Sequence, residues 1–212
     1  MSEAAADQIV ACCNRLWMAG LMAGLSGNVS VRLGDDRFLV TPGGLAKSDL
    51  RPEDLVEVDG GGRRVRGFQN PTSELDLHLR IYRESPACGA VVHAHPPTAT
   101  AFGIAGETID TDVLPEVVLL LGEVPLAPYA GPGTPALGDQ VARYVAGHTT
   151  VLLANHGAVC WGPDLATARA RMETLEHAAK IIHSARSLGR VNRLTREQRD
   201  ELDTRRRTPR NG

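Results

Sequence analysis

Residues 28–66 read NVSVRLGDDRFLVTPGGLAKSDLRPEDLVEVDGGGRRVR, and this stretch decides how the sheet is built. From Asn28 to Leu33 polar and apolar side chains alternate, Gly34-Asp35-Asp36 supplies a turn, and Arg37 to Thr41 is apolar again. Alternation at period two on both sides of a tight turn is the signal of a β-hairpin. Leu55 to Asp59 and Arg63 to Arg66, joined by Gly60-Gly61-Gly62, repeat the pattern. Two hairpins in succession start the sheet with antiparallel pairing. Further along, Gly89 to His95 reads as a short strand buried on both faces and closed by Pro96-Pro97. Val117 to Leu121 and Thr149 to Ala154 read the same way.

Helices flank these strands. Residues 4–22 carry Ile9, Val10, Cys13, Leu16 and Trp17 at near-helical spacing, with Gly20 and Gly24 marking the end. Pro71-Thr72-Ser73 opens a second helix, in which Ser73 and Asp76 have capping-box spacing and Leu75, Leu79 and Tyr82 form one stripe ending near Ser85-Pro86. Asp164 caps a long helix to about Leu188, with Ala168, Met172, Leu175, Ala179 and Ile182 on its buried side. Gly122 to Leu137 is rich in Pro and Gly and reads as a loop. From Arg190 onward eight arginines face four acids with few large apolar groups, so residues 190–212 are expected to form a mobile basic tail after a single domain of residues 1–189.

Composition narrows the functional classes. With 23 basic and 25 acidic residues the chain has no global basic field, which disfavours nucleic acid and anionic membrane as partners. No apolar run reaches the length of a membrane span. Glu3 and Asp7 stand where a secretory signal would carry basic residues, so a cytoplasmic location is expected. Cys12, Cys13, Cys88 and Cys160 lack CxxC spacing and read as reduced, packed thiols.

Chemistry gathers around the histidines. His93 and His95 stand two apart on an apolar strand, so both imidazoles leave the same face and can address one metal ion. His156 follows the strand at Thr149 to Ala154 and either caps its end or completes a three-imidazole site. Three neutral imidazoles would leave a tetrahedral position open, as in a catalytic rather than a structural zinc site. His78, His148, His177 and His183 lack ligand spacing and read as solvent-facing or ordinarily packed. Glu74, in the first turn of the second helix, either answers the helix dipole or shuttles a proton. The hydroxyls of Thr72 and Ser73, with the backbone N–H groups of that turn, suit an anion such as phosphate. Ser26-Gly27-Asn28 and Thr41-Pro42-Gly43-Gly44 are further glycine-bearing loops of the same kind.

Ser26-Gly-Asn-Val-Ser30, Thr41-Pro-Gly-Gly44, Pro71-Thr-Ser-Glu74, His93-Ala-His95 and Ala154-Asn-His-Gly157, in this order, resemble the class II aldolase/adducin family over roughly residues 5 to 188. The resemblance implies an α/β fold of three layers, α/β/α, around a largely antiparallel central sheet. It also implies Zn2+ held by His93, His95 and His156, and a homotetramer with active sites between subunits. It makes Glu74 the general acid/base, and Gly27, Asn28, Gly43, Gly44, Thr72 and Ser73 the binding residues for the phosphate of a small phosphorylated sugar.

The activity so implied is aldol cleavage of a ketose 1-phosphate to dihydroxyacetone phosphate and an aldehyde, through an enediolate. The same scaffold serves dehydration of a sugar phosphate resembling methylthioribulose 1-phosphate and decarboxylation of an oxo-acid phosphate. A non-catalytic module like the adducin head would lack the three histidines. The chain departs from the aldolase pattern in three places. Gly43 stands where a hydroxyl residue is common, Leu114 falls near the position of the tyrosine that serves the aldehyde half, and no tyrosine follows Tyr144.

Overall fold

The computed structural model describes residues 3–207. Helix α1 (Glu3–Met18) leads into two hairpins, β1 (Asn28–Gly34) with β2 (Arg37–Val40) and β3 (Val56–Asp59) with β4 (Arg64–Arg66). Helix α2 (Leu75–Glu84) precedes the central strand β5 (Ala90–Ala94), and α3 (Pro97–Ile104), α4 (Pro115–Leu120), β6 (Leu126–Ala127) and α5 (Pro135–Val145) follow. The hairpin β7 (Thr150–Leu153) and β8 (Gly157–Gly162), the long helix α6 (Leu165–Leu188) and α7 (Arg196–Arg207) complete the chain.

Among the described residues one eight-stranded sheet forms, in the order β4-β3-β2-β1-β5-β8-β7-β6. Its pairs are antiparallel except β6 with β7. Helices cover both faces, as the alternation along β5 requires: Ala90, Val92 and Ala94 pack under α1, α3 and α6, whereas Val91 packs under α2 and α5. This is an α/β fold with a mixed, mostly antiparallel sheet between helical layers. The four cysteines are free and buried, and burial pushes the thiols up, those of Cys12 and Cys160 to about 12 and that of Cys88 to about 11. No helix among the described residues is long and apolar enough to cross a membrane.

Both early hairpins form where the alternation places them, and Asp164 caps α6, accepting 2.7 Å from the Thr167 N–H. Four elements differ from the sequence reading. Val117 to Leu121, expected as a strand, belongs to α4 and its C-cap: Pro115 at the first turn presets a helical φ, and Val117, Val118 and Leu121 share one buried side. The loop expected from Gly122 to Leu137 contains β6 and the start of α5 at Pro135. The capping box at Ser73 and Asp76 does not form. Glu74 occupies the N-cap, and the Thr72 hydroxyl accepts the Glu74 N–H instead. Finally, the segment expected as a mobile tail carries α7, which packs on α4 and whose Arg199 pairs with Asp112, while Arg193 pairs with Asp110. Residues 208–212 of that tail lie outside the described part.

The turn from β5 into α3 is held from below. The Glu176 carboxylate, buried on α6, accepts from the N–H groups of Thr98 at 3.0 Å and Ala99 at 2.9 Å and from the Thr98 hydroxyl at 2.8 Å. These are the donors that a helix start leaves without intrahelical partners, and a charged acceptor suits them best. Glu176→Ala strands them in the core. We expect a loss of about 2–3 kcal/mol in urea unfolding, and less than half of that for Glu176→Gln, which keeps one acceptor.

Candidate metal centre

Two antiparallel ladders bring the histidines together. His93 stands one residue before the end of the buried strand β5, His95 follows two residues later, and the β7–β8 turn holds His156 beside them. In that turn Asn155 adopts a left-handed φ of 55°, a region asparagine tolerates better than most residues. Gly157 follows because nothing larger fits: a Cβ there would stand 2.6 Å from the Ala94 carbonyl oxygen and 2.7 Å from the His95 ring. The three rings meet edge to face with centroids 4.8, 5.0 and 5.1 Å apart.

These residues fit a divalent cation. One nitrogen from each ring lies within 4.8 Å of the others. His93 Nδ1 donates to the Ala158 carbonyl oxygen at 2.9 Å, which leaves Nε2 bare in the neutral ring and free to ligate. His95 Nε2 stands 3.2 Å from His93 Nε2, His93 Nε2 3.1 Å from Glu74 Oε2, and His156 Nε2 3.2 Å from Glu74 Oε1. Donors about 2.0–2.1 Å from one ion at tetrahedral angles stand about 3.3 Å from each other, close to the separation of His93 and His95. Burial and the neighbouring imidazoles push His95 down to about 4, which keeps it neutral and fit to ligate near pH 7.

Glu74 is buried against this cluster from the N-cap of α2. Burial raises its carboxyl, but the contacts with His156 and His93 and the donation from the Asn28 amide outweigh that and hold it well below the usual carboxylate range. Asn28 lies opposite His93 across β1 and β5, and its Nδ2 donates to Glu74 Oε2 at 2.9 Å.

The glycine loops also converge. The Thr72 N–H donates to the Thr41 carbonyl oxygen and the Gly43 N–H to that of Asn70, each at 3.1 Å, so the two loops lie side by side. A Cβ on Gly43 would stand 3.9 Å from the Ser73 nitrogen, and Gly44 opens onto free space. Gly27, at φ +80°, lies against the His93 carbonyl oxygen. Gly43, Gly44, Thr72 and Ser73 thus line one wall beside Glu74. The Asn28 side chain is engaged by Glu74 and His78, one N–H of its Nδ2 donating to Glu74 Oε2.

The sequence reading left His78 out. The structure buries it completely, with Nε2 at 2.5 Å from Asn28 Oδ1 and Nδ1 at 2.7 Å from Ser30 Oγ. Its spacing of four residues from both Glu74 and Tyr82 on the helix was the available signal. Burial, with the nearby His93 adding to it, pushes His78 down to about 3.

Two outcomes follow from this geometry. The chain is expected to hold about one divalent ion, lost in His95→Ala; its removal by EDTA lowers the melting temperature, since an ion that binds only the folded state stabilises it. Elemental analysis and thermal unfolding check both. Without metal, His78 and His95 titrate near 3 and 4 when folded and near 6.5 when unfolded, so the unfolded chain binds more protons between those values. Stability is then full above about pH 6.5 and falls as the pH drops. A urea midpoint that is the same at pH 7 and pH 5 would contradict this.

Residues 7–183 match the family model described as Class II Aldolase and Adducin N-terminal domain. Among curated relatives, the 3-oxo-tetronate 4-phosphate decarboxylase of Pectobacterium atrosepticum is 39% identical over 168 residues, covering 77% of this chain and 76% of that protein. The L-fuculose phosphate aldolase of Methanocaldococcus jannaschii is 33% identical over 174 residues, covering 82% and 93%. Among solved structures, Escherichia coli YgbL, described as an aldolase/epimerase/decarboxylase, superposes with a TM-score of 0.89 at 32% identity, over 95% of this chain and 98% of its own. By its ordered motifs, its sheet and its histidine cluster, as well as by this likeness, the chain belongs to the class II aldolase and adducin N-terminal domain family.

Proposed function

We propose that this chain is a zinc-dependent lyase that decarboxylates a 3-oxo acid phosphate, with Glu74 as its proton carrier. A single observation carries the choice of bond. The centre gathers one carboxylate, Glu74, whereas Leu114, near the position expected for a tyrosine that serves the aldehyde half, is a hydrocarbon packed against the core. Aldol cleavage moves two protons, one off the hydroxyl that becomes the aldehyde and one onto the carbon left behind. Decarboxylation needs only the second. Relatives named 3-oxo-tetronate 4-phosphate decarboxylase, 33 to 39% identical to this chain, support the same reading.

The substrate has a carboxylate at C1, a hydroxyl at C2, a ketone at C3 and phosphate at C4. Zinc at the three imidazoles would supply Lewis acidity toward the ketone and hydroxyl oxygens. The wall of Gly43, Gly44, Thr72 and Ser73 would receive the phosphate, with the Gly44 and Ser73 N–H groups and the Thr72 and Ser73 hydroxyls as donors, since the Gly43 and Thr72 N–H groups are bound to Asn70 and Thr41. The C1–C2 bond breaks, carbon dioxide leaves, and the electron pair remains on C2 as an enediolate. Glu74 then delivers to C2 a proton taken from water, giving dihydroxyacetone phosphate. Asn28 holds the carboxylate while it does so.

Aldol cleavage of a ketose 1-phosphate, the activity that the motifs first suggested, is the second reading. The L-fuculose phosphate aldolase of Methanocaldococcus jannaschii supports it. Both reactions pass through the same enediolate and release the same ketone, so the half-site built by Glu74, the imidazoles and the phosphate wall serves either.

The zinc-loaded protein is expected to form dihydroxyacetone phosphate and carbon dioxide from 3-oxo-tetronate 4-phosphate, and Glu74→Gln to slow this at least about 100-fold. A coupled assay for the ketone phosphate, run beside fuculose 1-phosphate, decides the matter. Turnover of fuculose 1-phosphate with none of the oxo acid would establish the second reading instead.

A further inference from the structure

The polar groups behind Glu74 form a line that the metal centre does not use. Asn28 and Ser30 stand two apart on β1 and leave the same face of the sheet, while His78 and Tyr82 stand four apart on α2 and meet that face. Asn28 Nδ2 reaches Glu74 Oε2 at 2.9 Å, His78 Nε2 reaches Asn28 Oδ1 at 2.5 Å, and Ser30 Oγ lies 2.7 Å from His78 Nδ1 and 2.9 Å from the Tyr82 hydroxyl. None of these four side-chain-bearing residues is more than 4% exposed. A core position asks for shape alone, and Leu would fill the place of His78 without needing partners.

Counting donors gives the line a direction. A carboxylate only accepts, so the Asn28 amide must point its NH2 at Glu74 and its oxygen at His78. An amide oxygen also only accepts, so His78 must carry its hydrogen on Nε2. Nδ1 is then bare and takes the Ser30 hydroxyl hydrogen, and Ser30 in turn takes that of Tyr82. Every donor meets an acceptor, and for a neutral His78 ring no other assignment satisfies all four contacts.

We infer that His78 is a positioning residue for Glu74, acting through Asn28; the inference rests on the proton-carrying role proposed for Glu74. The two ends of an asparagine amide have nearly the same shape, and only the N–H of His78 tells them apart. Were Asn28 to turn over, its oxygen would face the Glu74 carboxylate and its NH2 would face the His78 N–H, replacing two hydrogen bonds by two repulsions. Held in its present sense, Asn28 binds Oε2 and leaves Oε1, which accepts no hydrogen bond among the described residues and faces His156 Nε2 at 3.2 Å, to handle the proton. Ser30 and Tyr82 fix the tautomer from the far side.

The test uses full-length zinc-loaded protein and hydrogen exchange at the hydroxymethyl carbon of dihydroxyacetone phosphate in deuterated water, followed by NMR. His78→Leu is expected to lower kcat for exchange about 30- to 100-fold, as misplacing a reacting group does, with KM and zinc content within about twofold of wild type. His78→Gln, which keeps an N–H near the position of Nε2, should recover to within about fivefold of wild type. The double variant Asn28→Ala/His78→Leu should be no slower than Asn28→Ala, because His78 acts through Asn28.

A readout free of turnover is the 15N spectrum of the histidine rings, in which His78 should be the Nε2–H tautomer. Should His78→Leu fail to fold, His78→Asn, which can meet Ser30 but is too short to reach Asn28, replaces it with the same expected loss. An Nδ1–H tautomer, an undiminished kcat in the folded variant, or additive losses in the double variant overturns the inference. Wild-type exchange in Glu74→Gln would instead overturn the role of Glu74 itself. Exchange abolished in Glu74→Gln but intact in His78→Leu would remove His78 alone.

Discussion

The register between β1, β5 and β8 is the constraint from which the rest follows. Asn28 stands opposite His93, and His93 opposite Val159, while the neighbouring Ala158 carbonyl oxygen binds His93 Nδ1. Because side chains alternate along a strand, slipping β1 or β5 by one residue would turn Asn28 or His93 to the opposite face, and slipping β8 would take the Ala158 carbonyl away from His93. That face belongs to α1, α3 and α6 and is lined by Val29, Val92 and Ala94. The hydrophobic alternation that fixes the register therefore also places the polar residues, and no separate device is needed to assemble the site.

Placing so many polar groups in the interior is costly unless each finds a partner. Here α2 supplies the partners. Its apolar residues Leu77, Leu79 and Ile81 are buried, and the positions between them bring Glu74, His78 and Tyr82 to the polar residues of β1. The helix that covers the sheet is thus also the one that carries the carboxylate. Glu176 plays a similar part on the other side, where it takes up the free amides at the start of α3 and so holds the turn that follows His95.

The sequence made the histidine cluster and Glu74 legible because their signal is local: HxH on a strand, a histidine at a strand end, an acid at a helix start. The hairpins were legible for the same reason. What escaped depends on contacts distant in sequence. His78 looks like any helical histidine until Ser30 and Asn28, about 50 residues earlier in the chain, are known to lie beneath it. Val117 to Leu121 is apolar enough for a strand, and only its place over α6, with Pro115 starting a turn, makes it a helix. Helix α7 hides in a run of charge because it is held partly by the ion pair of Arg199 with Asp112, next to that of Arg193 with Asp110 just before the helix, which no periodicity reveals.

The division between what is buried and what is open also explains how one scaffold can serve related lyases. Under the proposed reading, the groups that would form and protonate the enediolate, namely the imidazoles, Glu74, Asn28 and the wall of Gly43, Gly44, Thr72 and Ser73, stand on the sheet, at the start of α2 or in the loops beside them. Around this half-site the chain presents loops, among them the one that carries exposed Tyr129 and rests Gly133 against Ser73. Under the same reading a change there would alter which group departs without disturbing the packed half. Decarboxylation makes the smaller demand on such a rim, since carbon dioxide needs no proton to leave, and a site with a single carboxylate carrier meets that demand in full.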